Sequence, residues 1–159
     1  MNIWIIIASL IISALAIYAA KLLWQLKKQT EAIKVAEQQQ QAEINAHDHK
    51  ILTSVSLIVR AMQVDQCELS EGCWRLSVLL NALKTSSDHQ VKFPAIFGLY
   101  NSIKHMAILD QRKTLAKKQR MKEDFERMKF EAQYQDAIKQ DLDILADFTK
   151  QQLAEKSEK

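Results

Sequence analysis

Residues that make tight turns are scarce in this chain, since its 159 residues include only 2 Gly and 1 Pro. Turns that need a positive or preset φ are therefore rare, which disfavours β-sandwiches, hairpin-rich folds and glycine-lined phosphate loops. Cysteine is also scarce, and the five residues between Cys67 and Cys73 match neither the CxxC motif of redox proteins nor a zinc knuckle. We predict an all-α fold with reduced thiols, no cofactor and no bound metal.

Charge is absent from the first 20 residues, of which 17 are hydrophobic. A helix over residues 3–20 would be about 27 Å long at 1.5 Å per residue, close to the hydrocarbon thickness of a bilayer. Lys21 can extend its amine to the headgroups, so the predicted transmembrane anchor covers residues 1–26 and contacts the bilayer through Ile3–Leu26. Small residues share one face of this helix, and self-association into a homo-oligomer through that face is an open alternative; they are Ser9, Ser13, Ala16 and Ala20.

The flanking charges predict the topology of this anchor. Lys21, Lys27 and Lys28 follow the apolar segment, and nothing basic except the α-amine precedes it. The positive-inside rule then predicts a single-pass membrane protein whose C-terminal part is cytoplasmic. A cleaved signal peptide is the alternative, but such a peptide carries positive charge before its apolar stretch.

Three further segments follow the anchor. Residues 27–43 are rich in Gln, Lys, Glu and Ala, which predicts a helical stalk, with a flexible linker as the alternative. Residues 44–110 hold three amphipathic helical patterns, the third beginning at Pro94, and predict a helical core domain. A polar loop at residues 85–89 separates the second pattern from the third.

Residues 111–159 predict one long, amphipathic, charged helix. Its apolar residues step mostly by threes and fours and form one seam that packs on the domain or on a partner helix. The seam consists of Met121, Phe125, Met128, Ala132, Ile138, Leu142 and Leu145.

Two charged features are candidate binding sites. His47 and His49 flank Asp48, but positions i and i+2 lie on opposite sides of a helix, so we expect no metal there. A stretch near the start of the last segment has six basic residues and no acid, and could contact anionic lipid, a partner or nucleic acid, or form a solvated face. This basic patch consists of Arg112, Lys113, Lys117, Lys118, Arg120 and Lys122.

Four strings in the sequence are distinctive: DQCELSEGCWRLSVLL at 65–80, FPAIF at 93–97, IKHM at 103–106 and ERMK at 126–129. Together they resemble an uncharacterised bacterial family, domain of unknown function 2489, over nearly the whole chain. The resemblance implies no reaction or ligand. Its matching positions are the candidate interaction residues Cys67, Glu68, Glu71, Gly72, Cys73 and Arg75.

No serine, threonine or cysteine lies in a recognisable nucleophile motif, so we expect no enzymatic activity. Together with the resemblance to a bacterial family, the sequence predicts a helical module that is anchored in the bacterial inner membrane and binds or scaffolds an unidentified protein partner. The alternatives are a membrane-tethered binder of anionic lipid or nucleic acid through residues 112–122 and, third, an enzyme of unknown type that uses Glu68, Glu71 or the cysteines.

Overall fold

The computed structural model describes residues 2–85, 88–107 and 109–157, and within helices it leaves out the side chains at 2, 5, 6, 8, 9, 11, 12, 14, 109, 110 and 157. All regular structure in the described ranges is helical, which confirms the all-α fold class. The helices are α1 (Asn2–Gln63), α2 (Leu69–Asn81), α3 (His89–Lys92), α4 (Pro94–Ile103), α5 (Leu109–Thr114) and α6 (Lys117–Ser157). The chain divides into two compact units, Met1–Glu43 and Ile44–Lys159.

The N-terminal unit is helical over residues 2–43. Its described apolar side chains face solvent, with Trp4 78% exposed and Trp24 70% exposed. Among the residues that the structure describes, no helix combines the length and the apolar character needed to cross a membrane. The structure therefore does not support the predicted transmembrane helix, although Met1 and eight side chains of the predicted anchor, including Ser9 of its small-residue face, lie outside the described residues.

The C-terminal unit buries one apolar core between the last part of α1 and helices α2, α4 and α6. Pro94 occupies the first turn of α4, which confirms the helix start predicted there. Each of the four segments contributes a row of buried side chains at helical spacing. The rows include Val55, Val59 and Met62 in α1, Leu76 and Leu80 in α2, Ile96, Leu99 and Ile103 in α4, and Ile138, Leu142 and Leu145 in α6.

The chain leaves α1 through a Schellman turn. Asp65 adopts a left-handed conformation with φ of 55°, and the N–H groups of Asp65 and Gln66 donate to the carbonyls of Met62 and Ala61. These two bonds satisfy carbonyls that the end of a helix otherwise leaves unpaired. The string at residues 65–80 thus begins where the chain reverses into α2.

Asp141 of α6 caps the N-terminus of α4. One carboxylate oxygen accepts hydrogen bonds from the N–H groups of Ala95 at 2.8 Å and Ile96 at 3.1 Å. Phe93, the residue at the cap position of α4, makes no side-chain cap, so a distant residue supplies the acceptor. Burial raises the pKa of Asp141, and the two hydrogen bonds oppose that rise without cancelling it.

Asp48 of α1 holds the segment that follows α2 in place through hydrogen bonds. Its fully buried carboxylate accepts bonds from the N–H of Lys84 at 3.0 Å and from the N–H and hydroxyl of Thr85. Lys156 of α6 adds an ion pair at 3.8 Å. Burial acts to raise the pKa of Asp48, but the hydrogen bonds from Thr85, Lys84 and His47 outweigh it and lower the pKa to about 2.

Two sequence expectations about this unit are wrong. The sequence predicts a polar loop that includes His89, but His89 begins α3 and is only 6% exposed, packed against Phe93 and Phe148. Ser86 and Ser87 of that loop lie outside the described residues. The apolar seam is buried only in its C-terminal half. Its N-terminal half is exposed because Phe130 and Tyr134, which are not part of the predicted seam, face the core there.

We expect Asp141→Ala to lower the free energy of unfolding by about 2 kcal/mol, because two buried N–H groups at the start of α4 would lose their acceptor. Asp143→Ala is the matched control, since Asp143 lies two residues away and accepts one exposed bond from Gln63. It should cost less than about 0.5 kcal/mol. Urea denaturation of the full chain in mild detergent measures both, and equal losses would contradict the capping role.

The depressed pKa of Asp48 predicts a pH-dependent contribution to stability. Because the folded pKa of about 2 lies below the ordinary aspartate pKa of 3.8, the carboxylate stabilises the fold above about pH 4, and that stabilisation is lost as the pH falls toward 2. Asp48→Asn should therefore be less stable than the native chain at pH 5, and the difference should shrink toward pH 2. Urea denaturation at a series of pH values measures it, and a constant difference would refute the prediction.

Candidate functional site

An open groove of about 470 Å³ lies beside the first half of α2. Its walls come from α2, from the end of α4 with the residues after it, and from single arginines of α5 and α6. The groove brings together four of the twelve sequence-predicted residues, with others that the sequence did not single out. The lining residues are Glu68, Ser70, Glu71, Trp74, Arg75, Ile103, Met106, Ala107, Arg112 and Arg127.

A second carboxylate of α6 holds α2 at the groove. Glu131 accepts hydrogen bonds from the N–H of Ser70, at 3.2 Å, and from its hydroxyl. Glu68 occupies the cap position of α2 without a side-chain cap of its own. Because a negative charge is favourable at a helix N-terminus, Glu131 both satisfies a free donor and fixes where α2 begins.

The apolar part of the groove is built on aromatic packing. Trp74 meets the Tyr100 ring edge to face, with ring centroids 5.2 Å apart and an interplanar angle of 77°. Ile103 and Met106, both almost fully buried, continue this wall. A wall with this composition can accept an apolar side chain of a partner.

Charged pairs surround the apolar wall. Arg75 pairs with Glu71 one turn earlier on α2 at 2.5 Å. Arg112 makes a two-pronged contact with Asp124, in which Nη2 lies 2.7 Å from Oδ2. These hydrogen bonds hold the pKa of Asp124 below its usual range and raise that of Arg112. The contact links α5 to α6 across the turn at residues 115–116.

Arg127 is the third arginine of the groove, and it lies 4.0 Å from Asp124. Three guanidinium groups therefore stand around one apolar wall, together with the carboxylates of Glu68 and Glu71. Arginine suits this place because its planar fork can bond a partner carboxylate while its stem packs on apolar surface.

The other half of the candidate interaction string faces the protein interior. Cys73 is fully buried and Cys67 is half-buried, and both thiols are free. Burial raises the pKa of Cys73 to about 12 and also raises that of Cys67, where Glu71 contributes. The thiolate form of each is therefore disfavoured at neutral pH. Gly72 packs against Met62, whose side chain would collide with any Cβ at that position.

The six residues of the basic patch do not form one continuous strip. Arg112 and Lys113 lie in α5, whereas the other four lie in α6, with the chain turning at Leu115 and Ala116. Arg112 lines the groove, and Lys122 lies 3.9 Å from Glu126.

The described side chains contain no group of three or more His, Cys, Asp or Glu residues that could hold a metal ion. Asp48, between His47 and His49, instead accepts hydrogen bonds from Lys84 and Thr85. The sequence did not single out Glu131 and Asp141, which position the two helices of the groove. A usable signal was present for Asp141, since an acid three residues after Ile138 and four before Leu145 shares their helix face and requires a partner when buried there.

We expect Gly72→Ala to destabilise the fold by about 1 kcal/mol. A Cβ there would lie 2.2 Å from Met62 Sδ and 2.7 Å from Cγ, and the resulting overpacking of about 1–3 kcal/mol outweighs a helix-propensity gain of about 1 kcal/mol. In the double variant with Met62→Ala, the loss in the free energy of unfolding should be smaller than the sum of the losses in the two single variants. Strict additivity in urea denaturation would show that the two positions do not press on each other.

Comparisons with known proteins agree with the four distinctive strings. The family described as "Protein of unknown function (DUF2489)" matches residues 12–145, so the chain belongs to this family. An uncharacterized protein of Haemophilus influenzae strain Rd is 39% identical over 145 residues, which cover 90% of this chain and 92% of the relative. No solved structure matches the chain.

Proposed function

We propose that this family member is a membrane-tethered module that binds a protein partner in the groove beside α2. Residues 3–26 would hold the chain in the bacterial inner membrane, with residues 44–159 on the cytoplasmic side. The biochemical task is recognition and scaffolding.

The observation that carries the proposal is the composition of the groove. An apolar wall built on Trp74 stands beside Arg75, Arg112 and Arg127. Aromatic residues and arginine are the types enriched at the energetic centres of protein interfaces. A partner segment with an apolar anchor and a nearby carboxylate would complement both parts of this site.

The tether is supported by the sequence and by exposure. Residues 3–20 carry no charge, and the large apolar side chains described between Ile3 and Leu26 are 45% to 78% exposed. So many apolar groups in water are unfavourable, and insertion among lipid chains would remove them from it. The lysines that follow the segment support the cytoplasmic orientation.

The proposal gives the chain no catalytic role. Both thiols are shifted away from the reactive thiolate form, with the pKa of Cys73 raised to about 12. Glu71 forms an ion pair with Arg75 on the surface of α2, with both side chains more than half exposed. These environments suit a binding surface better than a nucleophile or a buried general base.

A photocrosslinker at Glu68 of the full chain tests the groove in living cells. Glu68 is exposed at the groove, and its replacement leaves the Glu71–Arg75 pair intact. We expect one dominant covalent protein adduct in the membrane fraction. Lys150, exposed on α6 and not among the groove residues, is the control position and should give no such adduct.

Arg75→Glu then tests the chemistry of the groove. Reversing this charge should reduce the Glu68 adduct at least about fivefold while leaving the fold intact, because it removes a group that would face a partner carboxylate. Equal adducts at both probe positions, or an adduct unchanged by Arg75→Glu, would contradict the proposed binding site. Recovery of the chain outside the membrane fraction would contradict the tether alone.

A further inference from the structure

The first half of α6 has an apolar stripe on its surface. Met121, Phe125 and Met128 are 64%, 71% and 66% exposed. At 3.6 residues per turn they fall within an arc of about 60°, and Ala132 continues the same line. Three large apolar side chains at this exposure on one helix face mark a contact surface, since single exposed apolar residues are common but aligned ones are not.

Lysines stand on both sides of this stripe. Lys117 lies on one side, and Lys118, Lys122 and Lys129 lie on the other, each within about 60° of an edge of the stripe. All four side chains are exposed. A narrow apolar face bordered by lysines is the pattern of helices that lie in a membrane interface.

The acids of this stretch do not cancel the lysines evenly. Asp124 is paired with Arg112, and Glu123, which accepts the N–H of Ala107 at 3.2 Å, lies about 170° around the helix from the middle of the stripe. Glu126 is the acid that approaches a bordering lysine, at 3.9 Å from Lys122. The surface around the stripe is therefore positive.

We propose that this face of α6, the stripe with its four bordering lysines, docks on an anionic bilayer surface. Met121, Phe125 and Met128 would enter the boundary between headgroups and acyl chains, and the lysine stems would reach upward to lipid phosphates. The proposal rests on the proposed tether only for bringing the helix near a bilayer.

The positive charge and the exposed apolar side chains of this face together favour an anionic bilayer over nucleic acid or a second copy of the chain. Nucleic acid would pair with the lysines but leave the apolar stripe in water. A second copy could cover the stripe, but its own bordering lysines would then approach lysines of the same sign. An anionic bilayer offers both an apolar phase and negative charge.

An environment-sensitive fluorophore on α6 tests the proposal in the full chain, reconstituted in vesicles with or without phosphatidylglycerol in a phosphatidylcholine background. The probe is attached at Ala132→Cys or, as matched control, Ala137→Cys, in a Cys67→Ser background with Cys73 buried. Both alanines are exposed on α6, about 140° apart around the helix. We expect blue-shifted emission at 132, and not at 137, only with phosphatidylglycerol.

Neutralising the lysines separates docking from the tether. Changing Lys117, Lys118, Lys122 and Lys129 to Gln should abolish the shift at 132, and high salt should reverse it in the unaltered chain. Phe125→Gln should weaken it. Flotation of the chain with zwitterionic vesicles tests the tether independently of docking. If the chain does not float, both types of vesicle are added to it in solution, and the emission of the probe at 132 is measured in the same way.

Four results would overturn the docking proposal. Emission at 132 could be the same in both vesicle types, or the lysine variant could keep the shift. A duplex RNA or DNA could also shift the probe in zwitterionic vesicles as strongly as phosphatidylglycerol does, which would assign the basic face to nucleic acid. A probe shielded in cells but not in anionic vesicles would likewise overturn it, in favour of an acidic protein partner.

Discussion

The carboxylates that α6 places against the N-termini of its neighbours organise the whole C-terminal unit. Asp141 holds the start of α4 and Glu131 the start of α2, although neither helix has a side-chain cap of its own. These bonds need both members in place, because an unpaired buried N–H group or an unpaired buried carboxylate is costly. Packing of apolar side chains supplies the attraction, and the carboxylates determine which register of α6 is allowed.

The groove follows from this arrangement. Glu131 and Asp141 are ten residues apart on α6, so the two capped helix starts are separated by about 15 Å along it. With α2 and α4 held this way, Trp74 meets Tyr100 at 5.2 Å, and Arg75 stands outside the packed rings. The family string therefore has two sides. Gly72 and Cys73 permit close packing inside, whereas Glu71 and Arg75 present charge outside.

Sequence periodicity could predict the helices but not every contact between residues that are distant in the chain. The apolar rows of the core and the start at Pro94 were readable because helix spacing and proline chemistry are local. The backbone hydrogen-bond partners of Asp48 and Asp141 could not be predicted, since they lie 36 to 46 residues away in the chain. Arg75 and Arg112 could be selected as candidates, but that they share one groove depends on the turn at residues 115–116 and on Asp124.

The same long-range bonds explain why the predicted seam of α6 divides. Ile138 and Leu142 face the core, and the stripe at Met121, Phe125 and Met128 lies about 120° around the helix from that side. Rotating α6 to bury the stripe would withdraw Glu131 and Asp141 from the N–H groups that they satisfy. The starts of α2 and α4 would both lose their hydrogen-bond acceptors, whereas the gain would be the partial burial of three apolar side chains at the end of the unit. The carboxylates thus keep the stripe on the surface, where it is available to a partner.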